Sequence, residues 1–425
     1  MWPFSRKKPQ PQTVMLTLGR TPVALEIARC LHAVGFRVVV VDPFRNHICK
    51  HSKAVAKSFK VTAPDTDCEA YLSEITGIIE RENVQLVIPV SEEVLYVAEL
   101  KDRLEGKVRV LCEKARTLHT FHDKLKFARM AKTLGLSAPD TFPEDSDEGR
   151  ELIENDDYVI KPAHGCAGIG VQVCRDGASH DDSGESMLVQ RYVAGDHISS
   201  LSLLNKGREI ATVLYRASVR AGGVAVCVER VDYAPTVRKW VSRFCEKIPY
   251  TGFVSFDFIV DGQGTPWAIE CNPRASSGLH FLDPKDLARA ILKPGSTRRV
   301  ETRPDSGLKW GLPTLVQTLL AIVSPDAFKR RLGSFTGSSN ILWSPTDPWP
   351  SLMSIPSTRE IWWPALREGM TLGEAMHQDV AVFSTTSDIA PRMSKAPGEK
   401  LAVVDAEPKQ RPAPENKGEP EAAVG

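Results

Sequence analysis

The sequence predicts an α/β fold followed by an α+β region, and two patterns along the chain indicate these classes. In the first part, apolar runs alternate with helical stretches: Val14–Leu18 leads to a helix ending at Ala33, and Phe36–Val41 precedes a helix over Ala70–Glu82. Such alternation is typical of a parallel sheet. Further along, short strands are separated by tight turns such as Asn205-Lys206-Gly207, which predict antiparallel hairpins.

Changes in this pattern divide the chain into five segments. We expect a flexible arm at 1–12, a parallel α/β domain at 13–115, an antiparallel α+β domain at 116–290, a smaller C-terminal region at 291–386 and a disordered tail at 387–425. The tail contains many prolines and charged residues and few large apolar ones. It therefore cannot bury enough surface to offset the entropy lost on ordering.

The region 291–386 contains the longest apolar stretch of the chain, from Leu308 to Val323. A membrane span needs roughly 20 apolar residues, and Pro313 and Gln317 interrupt this shorter run. We therefore expect a buried helix here, with a contact to a membrane surface as the alternative. The same region carries five of the eight tryptophans, which we expect in the core: Trp310, Trp343, Trp349, Trp362 and Trp363.

The composition is that of an ordinary globular protein. Apolar residues make up 42% of the 425 residues and charged residues 25%. The net charge of +1 argues against a general attraction to nucleic acid. The nine cysteines are scattered without a Cys-x-x-Cys pair, which favours reduced thiols over a disulfide framework or a zinc site. Because no apolar run follows the charged N-terminus, we expect a cytoplasmic protein without a signal peptide.

The segment Glu270-Cys271-Asn272-Pro273-Arg274 carries the clearest chemical signal. If it ends a strand, Glu270, Asn272 and Arg274 share one face, because side chains alternate along a strand. Asp257, on the preceding strand, can face the same point. Carboxylate and amide oxygens suit Mg²⁺, and an arginine beside such a metal can bind phosphate. The alternative interpretation is a solvated acidic hairpin.

A second signal is a strand that ends at Lys161 and continues into a loop containing Gly165, Gly168 and Gly170. Glycines allow backbone N–H groups to approach phosphates, and the lysine adds a positive charge. The loop is not a P-loop, because no Gly-Lys-Ser/Thr ends it. The alternative is an ordinary glycine-rich turn with a solvated lysine.

A third segment, the apolar strand 187–193, leads to Gly195-Asp196-His197. Its backbone could bind the edge of an adenine, although an ordinary core strand would look the same. A dinucleotide site around Gly19 is not favoured, because the Gly-x-Gly-x-x-Gly fingerprint is absent. Arg20 and Thr21, at a helix N-terminus, could still contact a substrate anion, and His164 and His280 could contact substrate, although packed histidines are more frequent.

In this order, the motifs resemble the ATP-grasp superfamily, in particular the large subunit of carbamoyl phosphate synthetase and other carboxylate–amine ligases. The resemblance covers residues 13–290. It implies a parallel α/β domain ahead of a two-lobed ATP-grasp domain that binds ATP with two Mg²⁺ ions, for which Mn²⁺ can substitute. Two positions depart from the family: Gln190 stands where a glutamate often begins the adenine hinge, and His197 where an acid often holds the ribose.

The resemblance also implies a role for each residue of the motifs. These roles are phosphate binding by Lys124, in His122-Asp123-Lys124, and by Lys161; closure of a mobile loop at Gly165, Gly168 and Gly170; adenine binding by Gln190, Arg191, Tyr192 and Val193; ribose binding by Asp196 or His197; metal binding by Asp257, Glu270 and Asn272; and catalysis by Arg274 and Lys161.

The implied reaction transfers the γ-phosphate of ATP to a carboxylate, and an amine then attacks the acyl phosphate to give an amide, ADP and phosphate. The expected partners are small-molecule acids and amines, without nucleic acid. Two alternatives stay open: a non-catalytic ATP-binding regulator, and an ATP-grasp carboxylase or thiol ligase. The sequence leaves the acid, the amine, the pathway and the oligomeric state undetermined.

Overall fold

The computed structural model describes residues 11–180, 187–295 and 299–381. The predicted tail at 387–425 and most of the predicted arm at 1–12 lie outside these ranges. The prediction of a parallel α/β part, an antiparallel α+β part and a smaller C-terminal region is confirmed.

The first part is a five-stranded parallel sheet with strand order β3-β2-β1-β4-β5. Central strand β1 is fully buried, as its apolar run predicts, and the turn after it begins a helix capped by the Thr21 side chain. The elements are β1 Thr13–Thr17, α1 Pro22–Ala33, β2 Arg37–Asp42, β3 Val55–Lys60, α2 Cys68–Arg81, β4 Val84–Ile88, α3 Val94–Val97, α4 Glu99–Arg103 and β5 Arg109–Val110.

A small antiparallel sheet follows, with strand order β6-β9-β7-β8. Asp123 caps the helix that begins at Lys124, because its side chain accepts a hydrogen bond from the backbone N–H of Lys126. The elements are α5 Ala115–His122, α6 Lys124–Thr133, β6 Thr141–Pro143, α7 Asp147–Asn155, β7 Tyr158–Pro162, β8 Gln172–Cys174 and β9 Met187–Arg191.

A seven-stranded sheet completes the α+β part, with strand order β14-β13-β10-β11-β12-β15-β16. Its long central strands are antiparallel, as the turn signals predict. The elements up to residue 292 are β10 Asp196–Asn205, β11 Arg208–Ala221, β12 Val224–Arg230, α8 Pro235–Lys247, β13 Gly252–Val260, β14 Pro266–Asn272 and α9 Pro284–Leu292.

The C-terminal region adds two strands at one end of this sheet and six α-helices within the described residues. Its elements are β15 Gly307–Lys309, α10 Gly311–Leu320, α11 Pro325–Gly337, β16 Ser339–Asn340, α12 Trp349–Leu352, α13 Ser354–Ser357, α14 Arg359–Glu368 and α15 Leu372–His377. Within the described ranges, no helix has both the length and the apolar character that crossing a membrane requires.

The apolar stretch forms α10, but the prediction of a buried helix is wrong. The buried side chains of α10 are Thr314 and Thr318. The Thr314 hydroxyl can donate to the carbonyls of Val226 and Trp310, and that of Thr318 to the carbonyl of Thr314. The helix therefore packs its small hydroxyl-bearing side chains against the protein and leaves its leucines and valine at the surface.

The tryptophans of this region also depart from the prediction. Trp310 is buried where the chain passes from β15 into α10. In contrast, Trp343, Trp349 and Trp363 are about half exposed, at 52%, 58% and 54%. These three rings therefore do not form the expected core.

Candidate ATP and metal site

The metal-binding residues expected from the sequence meet at one point, where Asn272 is buried and the two carboxylates are half-buried. The antiparallel pairing of β13 and β14 places Asp257 directly opposite Glu270. The Asn272 side-chain amide donates to Asp257 Oδ2 at 3.2 Å and to Glu270 Oε1 at 3.0 Å. On the next strand, the Ser199 hydroxyl donates to Asp257 Oδ1. Sequence reasoning did not find Ser199, which reads as one more small residue of a core strand.

The two half-buried acids are held close together, and their charges interact strongly. Partial burial and the neighbouring charge of Glu270 raise the pKa of Asp257 to about 7. Partial burial would also raise the pKa of Glu270, but the charge of Lys124 and the hydrogen bonds with Asp257 and Asn272 outweigh it and lower that pKa. A close pair of like-charged groups is stabilised when a cation binds to it.

The donor set suits Mg²⁺. Two carboxylates and an amide oxygen are hard ligands, and Mg²⁺ in nucleotide enzymes is held by one or two carboxylates together with phosphate oxygens and water. No group of three or more His, Cys, Asp or Glu side chains in the described part of the chain is arranged for a metal held by protein alone. The geometry therefore suits a metal that binds together with a phosphorylated ligand.

Both expected phosphate lysines face the same point. Lys161 is buried, and its Nζ donates to Gln190 Oε1 at 2.9 Å and to the carbonyl of Ile269 at 3.0 Å. Burial, and secondarily the charge of Lys124, lowers the pKa of Lys161 to about 7. Lys124, the first residue of α6, donates from Nζ to the carbonyl of Gly165 at 3.0 Å. The two ammonium groups thus have few internal anionic partners besides the carboxylate pair.

The glycine loop between β7 and β8 lies against the seven-stranded sheet. Gly165, Gly168 and Gly170 have φ values of +120°, +69° and +70°, which glycine adopts without a steric penalty. The loop packs on the turn between β11 and β12, where a Cβ on Gly223 would lie 1.4 Å from the carbonyl oxygen of Ala167. This close approach requires glycine at position 223.

Arg274 is fixed by a residue from the parallel sheet that sequence reasoning missed. Its Nε and Nη2 donate to Glu92 Oε1 at 2.7 and 2.6 Å, and Nη2 also lies 3.3 Å from Asn272 Oδ1. Glu92 is 1% exposed. Burial alone would raise its pKa, but the charge of Arg274 lowers it. The available signal was the position of Glu92 just beyond a buried strand, at the carboxyl edge of a parallel sheet.

The predicted hinge residues fall into two groups. The Gln190 side chain points inward, where it binds Lys161 and donates to the Thr141 hydroxyl at 2.8 Å. The three hinge residues that follow, Arg191, Tyr192 and Val193, are exposed or half-buried. The structure therefore places the side chain of Gln190 with the phosphate lysines and leaves the next three residues at the surface.

The two predicted ribose residues lie differently. Asp196 is exposed at the start of β10, whereas His197 is half-buried with its Nε2 3.7 Å from Asp257 Oδ1. Since neighbouring residues of a strand face opposite sides, only His197 is on the side of the carboxylates. Burial lowers the pKa of His197 to about 4, so its imidazole is neutral at physiological pH.

Arg20 and Thr21 do not have the role that the sequence suggested as possible. The Arg20 guanidinium is fully buried between Asp42 and Asp379, at 2.7 Å from each, and stacks on the Phe44 ring. Thr21 caps α1. Both are therefore occupied by internal contacts. His164 and His280 are buried, at 6% and 2% exposure, which agrees with the packed alternative.

The comparisons with known proteins identify this arrangement. Residues 121–278 match the family model described as an ATP-grasp domain. The chain contains an ATP-grasp domain. The matched segment includes both lysines, the glycine loop, the carboxylate pair and Arg274.

Solved structures with this fold cover most of the chain at low identity. The biotin carboxylase domain of Hydrogenobacter thermophilus 2-oxoglutarate carboxylase, in complex with MgADP, ADP and bicarbonate, is 17% identical with a TM-score of 0.54, over 68% of this chain and 71% of that chain. Staphylococcus aureus N5-carboxyaminoimidazole synthetase complexed with ADP is 14% identical with a TM-score of 0.54, over 68% and 80%.

A third similar structure is the L-amino acid ligase from Bacillus licheniformis, 14% identical with a TM-score of 0.50, over 67% of this chain and 75% of that chain. No curated protein matches the sequence. At these identities the structural likeness establishes the fold, and the reaction must be argued from the site itself.

Proposed function

We propose that this protein is an ATP-dependent ligase that phosphorylates a carboxylate substrate and couples the acyl phosphate to an amine, releasing ADP and phosphate. The observation that carries the proposal is the convergence of two buried lysines, a half-buried carboxylate pair and one arginine on a single point. Each of these groups has a use in phosphoryl transfer, and few of them have a use in a purely structural site.

The residues divide into groups with separate tasks. Lys124 and Lys161 bind phosphate oxygens of ATP, and the segment from Gln190 to Val193 binds the adenine, with His197 beside the ribose. Asp257, Glu270 and Asn272 would hold Mg²⁺, which would neutralise charge on the phosphates of ATP. Loop residues Gly165, Gly168 and Gly170 cover the phosphates and exclude water.

Arg274 stabilises the charge on the phosphoryl group in transfer. A carboxylate oxygen of the substrate forms a bond to the γ-phosphorus while the bond between this phosphorus and the β,γ-bridging oxygen breaks, which leaves ADP. The amine nitrogen then attacks the acyl carbon, phosphate departs with the transferred oxygen, and the nitrogen loses a proton. No covalent bond to the protein is needed, so orientation and electrostatic stabilisation account for the rate.

The proposal is tested by trapping the acyl phosphate. Purified protein is incubated with Mg-ATP, hydroxylamine and a panel of carboxylic acids, and both hydroxamate and nucleotide products are measured. We expect hydroxamate and ADP together, requiring ATP, Mg²⁺ and the correct acid. If the stimulating acid instead yields AMP and pyrophosphate, the chemistry is adenylation and the proposal is wrong.

The same assay separates the alternatives. An ATP-binding regulator would bind Mg-ATP, yet no acid and amine pair would stimulate ADP release. A carboxylase would respond to bicarbonate as the acid, and a thiol ligase would respond to a thiol in place of the amine. Screening acids with each class of acceptor therefore identifies the substrate class as well as the reaction.

A further inference from the structure

The apolar side chains on the surface are concentrated in one part of the chain. Of the seventeen large apolar side chains exposed in the described ranges, thirteen lie between Leu315 and Leu366. Six of them form a continuous series on α10 and on the turn between α10 and α11. We name this series the apolar tip, and it consists of Leu315, Val316, Leu319, Leu320, Ile322 and Val323.

Exposure within the apolar tip increases steadily toward the turn. It is 38% at Leu315, 54% at Leu319, 64% at Ile322 and 88% at Val323. A side chain lying in a groove cannot be this exposed, so the tip protrudes from the surface. The polar side of α10 faces the protein and its apolar side faces outward, since Thr314 and Thr318 are buried with their hydroxyls bonded to backbone carbonyls. Nothing in the described ranges covers the aliphatic side.

Basic side chains follow the apolar tip on the second helix of the hairpin. Lys329 and Arg330 are exposed on α11, and Arg331 is half-buried against the carbonyl of Gln317. Asp326 is the acidic residue of residues 311–337, where three basic residues give a net charge of +2. Lys329 lies four residues into α11, about 6 Å along that helix from its first residue, Pro325, at 1.5 Å per residue.

We infer that this hairpin docks on the surface of an anionic lipid bilayer. When the apolar tip is inserted about 5–10 Å into the bilayer, it reaches the boundary of the acyl chains. Lys329 and Arg330 then lie at the depth of the lipid phosphate groups. A membrane accepts a protruding apolar point without a preformed cavity, whereas a protein partner needs a complementary pocket. The charge of the hairpin matches anionic headgroups.

The test uses the full-length chain and vesicle co-sedimentation. Vesicles are made of phosphatidylcholine alone or mixed with phosphatidylglycerol, and the bound fraction is measured at low and high salt. We expect binding to the anionic vesicles that weakens with salt. The variant I322D/V323D should lose about tenfold or more in partitioning, because each side chain contributes by burial of apolar surface.

Matched variants separate insertion from charge. K329Q/R330Q should reduce binding to the anionic vesicles about tenfold or more. K239Q/R243Q, which removes two exposed basic residues on α8, should leave binding unchanged. Val323→Trp should tighten binding, since tryptophan prefers the membrane interface. Circular dichroism and Mg-ATP binding should match wild type in every variant, because none of these residues lies in the nucleotide site.

Three results would overturn the inference. The first is equal sedimentation of wild type and I322D/V323D. The second is concentration-dependent dimerisation in solution that I322D/V323D abolishes, which would assign the apolar tip to a second copy of this chain. The third is vesicle binding that appears only after residues 382–425 are removed, which would show that this segment covers the tip in the intact protein.

Discussion

At the scale of single residues, the site depends on a contact between two parts of the chain that are far apart in sequence. Arg274 ends the segment after β14, but its guanidinium is held by Glu92 from the loop after β4. Glu92 is buried and Arg274 is only 17% exposed, so solvent cannot replace Arg274 as the partner of the Glu92 carboxylate. Glu92 therefore acts as a positioning residue, since it contacts Arg274 and does not itself face the carboxylate pair.

We expect Glu92→Gln to lower the rate of ADP formation by about a hundredfold, because a misplaced arginine no longer stabilises the transferred phosphoryl group. The affinity for Mg-ATP should change much less, so the effect appears in kcat and not in KM. Glu93→Gln is the control, because Glu93 is equally buried in the same loop but binds Thr17 and nearby backbone N–H groups. Equal loss of activity in both variants would indicate a merely structural role.

Glu270→Ala should abolish Mg-ATP turnover while the fold is retained. The substitution removes a proposed metal ligand, and it also relieves the repulsion that raises the pKa of Asp257. The melting temperature should stay close to that of wild type, because the relief of this repulsion offsets the loss of the negative charge that faces Lys124. Circular dichroism and ADP release are measured on one preparation, with Glu246→Ala on the exposed side of α8 as the control. Near-normal turnover at saturating Mg²⁺ would exclude Glu270 as a metal ligand.

At the scale of elements, the glycine loop lies against two segments that are distant from it in sequence. Ala167 contacts the turn at Gly223 and also approaches Gly373 in α15, where an added Cβ would lie 3.0 Å from that of Ala167. The sequence predicted the loop, because its glycines follow a strand that ends in lysine. It did not predict these neighbours, because each lies in a separate segment whose local pattern carries no information about the loop.

Gly223→Ala should release the loop from the turn between β11 and β12, because the new Cβ would overlap the backbone at Ala167. We expect faster hydrogen exchange at the amides of residues 165–171, measured by mass spectrometry. Gly262→Ala is the control, since position 262 lies in another hairpin turn with open space around it. Unchanged exchange in Gly223→Ala would mean that the turn does not hold the loop.

The elements themselves were largely predictable, and the exceptions have physical reasons. Strands β1, β2 and β4 are apolar runs between turn residues, so their pattern identifies them. Edge strand β3 was missed because its lysines and serine give it a polar, partly exposed pattern. Helix α10 was placed in the core because apolar helices usually are. Its Thr314 and Thr318, spaced by one turn, were the signal that its small polar side faces the protein.

At the scale of the whole molecule, the C-terminal region returns to the parallel sheet and fixes it to the ATP-grasp part. Asp379 pairs with buried Arg20 across 359 residues of chain. A second junction surrounds Glu26 on α1, which contacts Arg303 and lies 3.5 Å from His280 Nδ1. Ion pairs between such distant segments depend on how helices and strands pack in the tertiary structure. The sequence pattern of a single segment therefore does not reveal them.

The Glu26 junction predicts a specific loss of stability in acid. Burial would raise the pKa of Glu26, but its hydrogen bond with His280 and the charge of Arg303 lower it from 4.5 to about 2. Because the pKa of Glu26 is lower in the folded state, the ionised carboxylate stabilises the fold fully at pH values above the unfolded-state pKa of 4.5. This stabilisation is lost as the pH falls from there toward the folded-state pKa of about 2. Fully developed, it amounts to about 3 kcal/mol, of which about 1 kcal/mol is lost by pH 4.

Urea denaturation of wild type and Glu26→Gln at several pH values between 7 and 4 tests this expectation. The variant should be less stable at pH 7, because Arg303 and His280 lose a charged partner, and the difference in unfolding free energy should narrow by about 1 kcal/mol at pH 4. Cys30 and Asp283, the other titratable groups of this junction, are present in both proteins. Glu246→Gln on the surface of α8 should follow the wild-type curve throughout. A difference between wild type and Glu26→Gln that stays constant with pH would show that the Glu26 carboxylate does not carry the acid sensitivity of this junction.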